Sequence, residues 1–174
     1  RYVTPDGVEL AGWWRRAFAY LIDGLVIGIG ASVITVPMQL ANPGAWVSAA
    51  QSRVAIDTWM SLDWAVLASG LWTAAAMLLV GAAYSILMTS RLGWTLGKRA
   101  LGIRVRHREH ERLPTVGEAA GRWAVQLAPA ALGQLPGVAS LTNLWTLLDG
   151  LWPLWDRRRQ AIHDKVAGTS VVLA

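Results

Sequence analysis

The residues best placed to do chemistry are carboxylates inside apolar sequence. Asp23 is the sole acidic residue in the run AFAYLIDGLVIGIGASVITVPMQL at residues 17–40, and Arg16 stands at its head, seven positions earlier. At roughly 100° per residue, seven steps return to nearly the same helix face about 10 Å along the axis, so both side chains look into one interior. An ionisable group at the centre of a bilayer costs about 2.5–3.5 kcal/mol even on the most lenient scale, so such residues face a bundle interior and carry function by default. Asp149 is a second candidate. It precedes Asp156 by seven residues, as Asp23 follows Arg16 by seven, which sets both acids at one depth, about 10 Å below a boundary. Two such carboxylates can share a proton or a cation, because like charges in a low dielectric do not both ionise cheaply. The alternative is separate satisfaction: Asp23 by Arg16, Lys98 or Arg99, and Asp149 by Asn143, Thr146 or the backbone of a helical hairpin.

The elements that must position these groups belong to a membrane. With 174 residues, 54% hydrophobic and 16% charged, the chain is long enough for one domain and too apolar for an ordinary soluble one. It is expected to be a single all-α polytopic membrane domain over 1–174. The absence of cysteine excludes disulfides and thiolate metal sites. Between Asp63 and Arg91 stand 27 uncharged residues, enough to cross a hydrocarbon core of about 30 Å. Full spans are expected at about 17–40, ending near Pro37 before the turn Asn42-Pro43-Gly44, and at 64–89. Fifteen of the sixteen Lys and Arg precede the first span, lie in residues 91–122, or follow Asp156; Arg53 alone stands between the two spans. The positive-inside rule then puts both termini and the loop 91–122 in the cytoplasm and residues 41–62 outside. The formal charge of +5 thus reads as topology and attraction to anionic lipid headgroups at the cytoplasmic face, not as a nucleic-acid surface.

The third apolar region, Trp123 to Trp155, is broken by Pro129, Gly133 and Pro136-Gly137. Limbs at about 123–136 and 138–155 reach roughly 21–26 Å each, short of a full core. A short helical hairpin is expected, as re-entrant limbs or a third and fourth span, with one kinked span as the competing arrangement. Trp13, Trp14, Trp94, Trp123, Trp152 and Trp155 fall beside the inner boundary and Trp46, Trp59 and Trp64 beside the outer one, as an aromatic belt requires. Trp72 and Trp145 read as packing. In the cytoplasmic loop, Ile103-Arg104-Val105-Arg106 alternates, and Leu113-Pro114-Thr115-Val116 offers a return strand, predicting a small β-hairpin with Ser170-Val171-Val172-Leu173 as a third strand.

Other signals carry less. Arg15-Arg16 resembles a twin-arginine leader, but the apolar run is too long and contains Asp23. Gly93-Trp94-Thr95-Leu96-Gly97-Lys98 lacks one spacer of a phosphate loop, and Arg99 stands where Ser or Thr should bind magnesium. His107, His110, Glu109 and Glu111 suit a solvated turn better than a metal site. Gly24, Gly28 and Ser32 form a small-residue ridge for close helix packing, within or between chains. With no triad, metal cluster or cofactor loop, neither an enzyme nor a cofactor is expected.

Three ordered blocks carry a family resemblance: GWWRRAFAYLID at 12–23, TLGKRALGIRV at 95–105 and WDRRRQAIHDKVAGT at 155–169. Together they resemble the RDD family of small membrane proteins over roughly residues 10–173. The family is named for an arginine and two aspartates, which the resemblance maps to Arg16, Asp23 and Asp164, with Asp156 the other candidate; Lys98, Arg99 and His163 fall in the same blocks. It implies a bacterial plasma-membrane protein, with small-ligand transport and sodium/proton antiport as the activities suggested for members. Asp149 departs from the family pattern. For the His163-Asp164 pair, no nucleophile supports catalysis, and anchoring of the C-terminal segment onto the basic loop is expected. Two full spans are few for a solitary transporter, which favours an accessory or structural subunit of a membrane complex. The runner-up is a small-ligand or cation/proton transporter component using the intramembrane aspartate. Expected partners are the bilayer and either copies of the chain or other membrane proteins.

Overall fold

The computed structural model describes residues 2–41, 43, 64–133 and 138–174. Arg53, Trp46, Trp59, Asn42 and Gly44 of the expected outer segment, and the hairpin tip Pro136-Gly137, lie outside the described residues.

Two long helices dominate, α1 (Trp13–Ala41) and α2 (Trp64–Leu92). Each is long and apolar enough to cross a membrane. A soluble core helix of this composition would be mostly buried, whereas only 22% and 17% of their most apolar windows are buried; Leu21, Leu25, Ile29, Val33 and Leu79 stand exposed. Helix α1 does not stop near Pro37 as expected but continues through it to Ala41. A proline deletes one backbone donor, which a long apolar helix absorbs by local adjustment. The buried residues of α1, namely Ala19, Asp23, Ile27, Ala31 and Thr35, recur every four residues and form the stripe that meets the rest of the molecule.

After α2 the chain turns at Gly93, whose φ of +75° suits glycine at the end of a helix. A Cβ there would also stand 2.7 Å from Leu113 Cδ2 and 3.1 Å from Val105 O. The short α3 (Leu96–Ala100) follows and packs on α1. Next comes β1 (Ile103–His107), paired antiparallel with the C-terminal β2 (Thr169–Leu173) in the register Ile103↔Leu173 to His107↔Thr169. The expected local hairpin is therefore corrected: the segment expected as a third strand is the direct partner of β1, and Leu113 to Val116 contributes none. Thr115 is instead the N-cap of α4 (Val116–Gln126), its hydroxyl accepting from Glu118 N while Glu118 returns a carboxylate to Thr115 N, a reciprocal capping box that starts a helix here. The N-terminal segment covers β2 from the other side through Ala11 N to Val171 O and Leu173 N to Glu9 O, each 3.0 Å. Ala11, Ala19, Ile103, Val105 and Val171 form the buried cluster joining this cap to α1.

The third apolar region also differs from expectation. Its first limb begins seven residues early, at Val116, breaks at Leu127 and resumes as α5 (Ala128–Leu132), with Pro129 in the first turn. The second limb is α6 (Ala139–Leu151), ended by a 3-10 turn at Trp152–Leu154 that contains Pro153. Helix α4 packs on α2 and on α7 (Ile162–Val166), and α5 packs on α6. Among the described residues the architecture is mostly helical, with two candidate membrane helices and one small two-stranded sheet.

Candidate functional site

Two buried polar networks sit at the basic end of α1. In the first, Asp23 of α1 accepts from Thr95 Oγ1 at 2.5 Å, Tyr84 OH at 2.7 Å and Gly97 N at 2.8 Å, with Lys98 Nζ at 3.4 Å. Tyr84 OH accepts in turn from Leu96 N at 2.8 Å. This network depends on a glycine: a Cβ at Gly97 would lie 2.2 Å from Ala19 O and 2.9 Å from Asp23 Oδ1. Only a residue without a side chain lets α3 press its backbone onto α1 and aim an N–H at the carboxylate. Burial lowers the Lys98 ammonium below its ordinary range, against the pull of Asp23.

The second network centres on Asp164, which is 0% exposed. Arg16 Nη1 reaches Asp164 Oδ2 at 2.6 Å, Arg122 Nη1 binds Oδ1, and Ala161 N donates to Oδ2 at 3.1 Å. Burial would raise this carboxyl, but Arg122, His163 and Arg16 hold it well below the usual carboxylate range. Arg16 also donates to Ala11 O and Val171 O, each 3.3 Å, and Arg122 to Thr169 Oγ1 at 2.7 Å. One carboxylate thus ties α1, α4, α7 and the sheet together. Two guanidiniums on one buried carboxylate satisfy both its oxygens, the condition under which a buried charge is tolerated.

A third acid joins from α6. Asp149 Oδ1 accepts from His163 N at 2.9 Å, and Oδ2 lies 2.6 Å from His163 Nδ1. By accepting from that backbone N–H, the Asp149 carboxylate caps the first turn of α7. Burial pushes His163 below the ordinary imidazole range, with Arg122 adding to it and Asp164 and Asp149 opposing.

Arg16 and Asp23 do share an interior, but they do not pair: each is taken by a different distant block. Of the partners considered for Asp23, Lys98 is present, whereas Arg99 is exposed with its guanidinium 4.6 Å from the Trp94 ring centroid. Asp149 is satisfied by His163, not by Asn143, Thr146 or the backbone of a helical hairpin, because α7 folds back under the end of α6. Asp156 lies apart, bound by Lys165, Gln160 N at 3.0 Å and Arg158 N at 3.1 Å; burial raises it, and Lys165 with the two backbone N–H groups together outweigh this and leave it lowered. Arg122 and Tyr84 were missed by sequence reasoning. Arg122 is the one basic residue of α4, three positions after buried Ala119, and that helical spacing on the apolar stripe was the available signal. Nothing in the spacing marks Tyr84.

A cavity of about 380 Å³ is lined by residues of α1, α2, α4 and α6. Asp23, Arg16, Lys98, Arg122, Asp149 and His163 all line it, so the two networks meet in one chamber.

The family model described as RDD family matches residues 10–168. "Uncharacterized protein YxaI" of Bacillus subtilis (strain 168) is 31% identical over 168 residues, covering 93% of this chain and 96% of that protein. No solved structure matches the chain.

Proposed function

The chain belongs to the RDD family, and from that membership and the way its buried charges are matched we propose that it is an integral plasma-membrane protein serving as an accessory or structural subunit of a membrane complex. The observation that carries this reading is the saturation of Asp164 by Arg16, Arg122 and Ala161 N, together with that of Asp23 by Thr95, Tyr84, Gly97 and Lys98. Groups so fully partnered act as clamps that hold helices to a polar cap, and moving ions through them would require breaking several charge-assisted bonds at once. In this reading both termini and residues 91–122 are cytoplasmic, following the basic residues. The outward faces of α1 and α2 meet lipid or a neighbouring protein, and Gly24 and Gly28, with nothing within 4 Å of a Cβ built on either, leave room for a close helix contact.

Composition of the complex extracted from its native membrane tests the proposal. A fixed partner protein at constant stoichiometry is the expected result; a chain that purifies alone as a monomer overturns it. Orientation is read by single cysteines at Ser48 and Glu111 in this cysteine-free chain, which should label from opposite faces. A second reading, a small-ligand or cation/proton transporter component, is favoured by one feature: Asp23 and Asp149 both line the chamber. Under the clamp reading Asp23→Asn lowers the yield of folded protein; under the transport reading Asp23→Asn folds normally and abolishes pH- or sodium-dependent flux in vesicles.

A further inference from the structure

The charges around the chamber are not equally matched. Asp23 has Lys98, and Asp164 has Arg16 and Arg122, but among the described residues Asp149 forms an ion pair with no lysine or arginine. Its partners are a main-chain N–H and an imidazole, and burial keeps that imidazole below its ordinary range. Arg16 and Arg122 also line the chamber, but both guanidiniums are held on Asp164, and a buried carboxylate that no lysine or arginine contacts favours a cation directly beside it.

Trp13, Tyr20 and Trp123 line the same chamber as Asp149. Trp123 Nε1 is buried and makes no hydrogen bond, so that indole is not held there by a polar partner. Aromatic faces attract cations, and poorly hydrated organic cations above all. An inorganic metal ion would need a cluster of hard ligands, and no group of three or more His, Cys, Asp or Glu suited to a metal is present among the described residues.

Access is lateral. Helices α1 and α6 do not pack along their lengths, and among the described residues Trp13 Nε1 ties them by donating to Gly150 O at 2.8 Å. Phe18 and Leu21 on α1 and Leu147 on α6 line the chamber while being 52%, 64% and 59% exposed. They form a rim on the apolar flank through which an apolar body can enter. The volume suits a compact ligand and is too small to enclose a whole diacyl lipid.

We propose that this chamber binds a free lipophilic organic cation, with Asp149 as counter-ion, Trp13, Tyr20 and Trp123 as aromatic walls, and entry between α1 and α6. The site rests on the chamber alone and stands whether or not the chain is a complex subunit or moves its ligand.

Tetraphenylphosphonium and tetraphenylborate share a shape and differ in charge, so they make the decisive pair of probes. Equilibrium dialysis of the purified full chain in neutral detergent, corrected with empty micelles, should show saturable phosphonium binding at one site per chain that the borate does not displace. Equal saturable binding of both ions, or no saturable phosphonium binding, overturns the proposal. Asp149→Asn should weaken the affinity at least about tenfold. Because Asp149 also caps α7, Trp123→Leu is the second variant: it removes no hydrogen bond and should weaken binding about threefold through the lost aromatic face. Wild-type affinity in folded Trp123→Leu overturns the aromatic wall, and wild-type affinity in folded Asp149→Asn overturns the counter-ion. Phosphatidylethanolamine in the micelles supplies the same ammonium chemistry from a lipid; its displacement of the phosphonium would overturn the free cation in favour of a lipid headgroup, and lack of displacement supports it.

Discussion

Arg16 and Asp23 share one helix face, about two turns apart, and are divided between two distant partners in space, and the division depends on an absence. Gly97 gives up a side chain so that its backbone N–H can reach Asp23 at 2.8 Å. Helix propensity argues for alanine at this place by about 0.5–1 kcal/mol. The clash argues against it, since the nearest atom to a new Cβ is the Ala19 carbonyl oxygen at 2.2 Å, a backbone atom that cannot swing aside as a side chain does. Overpacking of that kind costs about 1–3 kcal/mol, so the clash wins. Gly97→Ala should lower the thermal midpoint of the purified protein, whereas Gly24→Ala, with open space at its Cβ, should leave it unchanged or raise it. Size-exclusion chromatography after graded heating checks both, and equal midpoints for Gly97→Ala and the parent would remove the close approach from the account of the site.

Among the elements, the two long helices were readable because length and freedom from charge are properties of contiguous sequence. The sheet was not, since β1 and β2 are separated by more than sixty residues and alternation in Ile103 to Arg106 says only that a strand exists. The nearby Leu113 to Val116 segment was the natural local partner, yet the sequence also carried the contrary signal in Thr115-x-x-Glu118. The helix it starts delivers Arg122 to Asp164, so an element read as loop holds half of the central ion cluster. Glu118 is further fixed by a bidentate contact from Arg112, at 2.8 and 2.7 Å, and that contact lowers its pKa to about 2. Thr115→Ala removes the cap and leaves the Arg112–Glu118 pair, at a cost of about 1 kcal/mol. Faster amide exchange over Val116 to Glu118 is the expected result, restored by Thr115→Ser; unchanged exchange would mean that Arg112 alone secures the start of α4. Which residue satisfies Asp149 could not be read at all, because the return of α7 beneath α6 follows from the three-dimensional course of residues 152–161 and not from any periodicity.

Across the described residues, the exposed faces of the two long helices are largely apolar and the titratable groups gather in the cap, so pH should act through the cap. Glu118, Asp156, Asp164 and His163 are all lowered from their ordinary values, and Lys98 is lowered as well. In each case the unfolded chain binds a proton more readily than the folded one, so stability is present above the unfolded value and is lost as pH falls. Burial holds His163 below its ordinary 6.5 in the folded chain, so its contribution to stability is lost as pH falls below that value. Its charging would place an imidazolium beside Arg122 inside the cap, and one proton of difference imposes a slope of up to about 1.4 kcal/mol per pH unit. The carboxylates add to the loss only below about pH 4, the ordinary range for Asp and Glu. The thermal midpoint in detergent should therefore fall in two stages, a shallow decline from about pH 6.5 and a steep one in the carboxylate range. His163→Gln keeps a side chain of comparable polarity without the titration, so it should abolish the first stage and leave the second. A first stage that persists in His163→Gln would assign it to another group, with His107 at the end of β1, also lowered by burial, the next to replace.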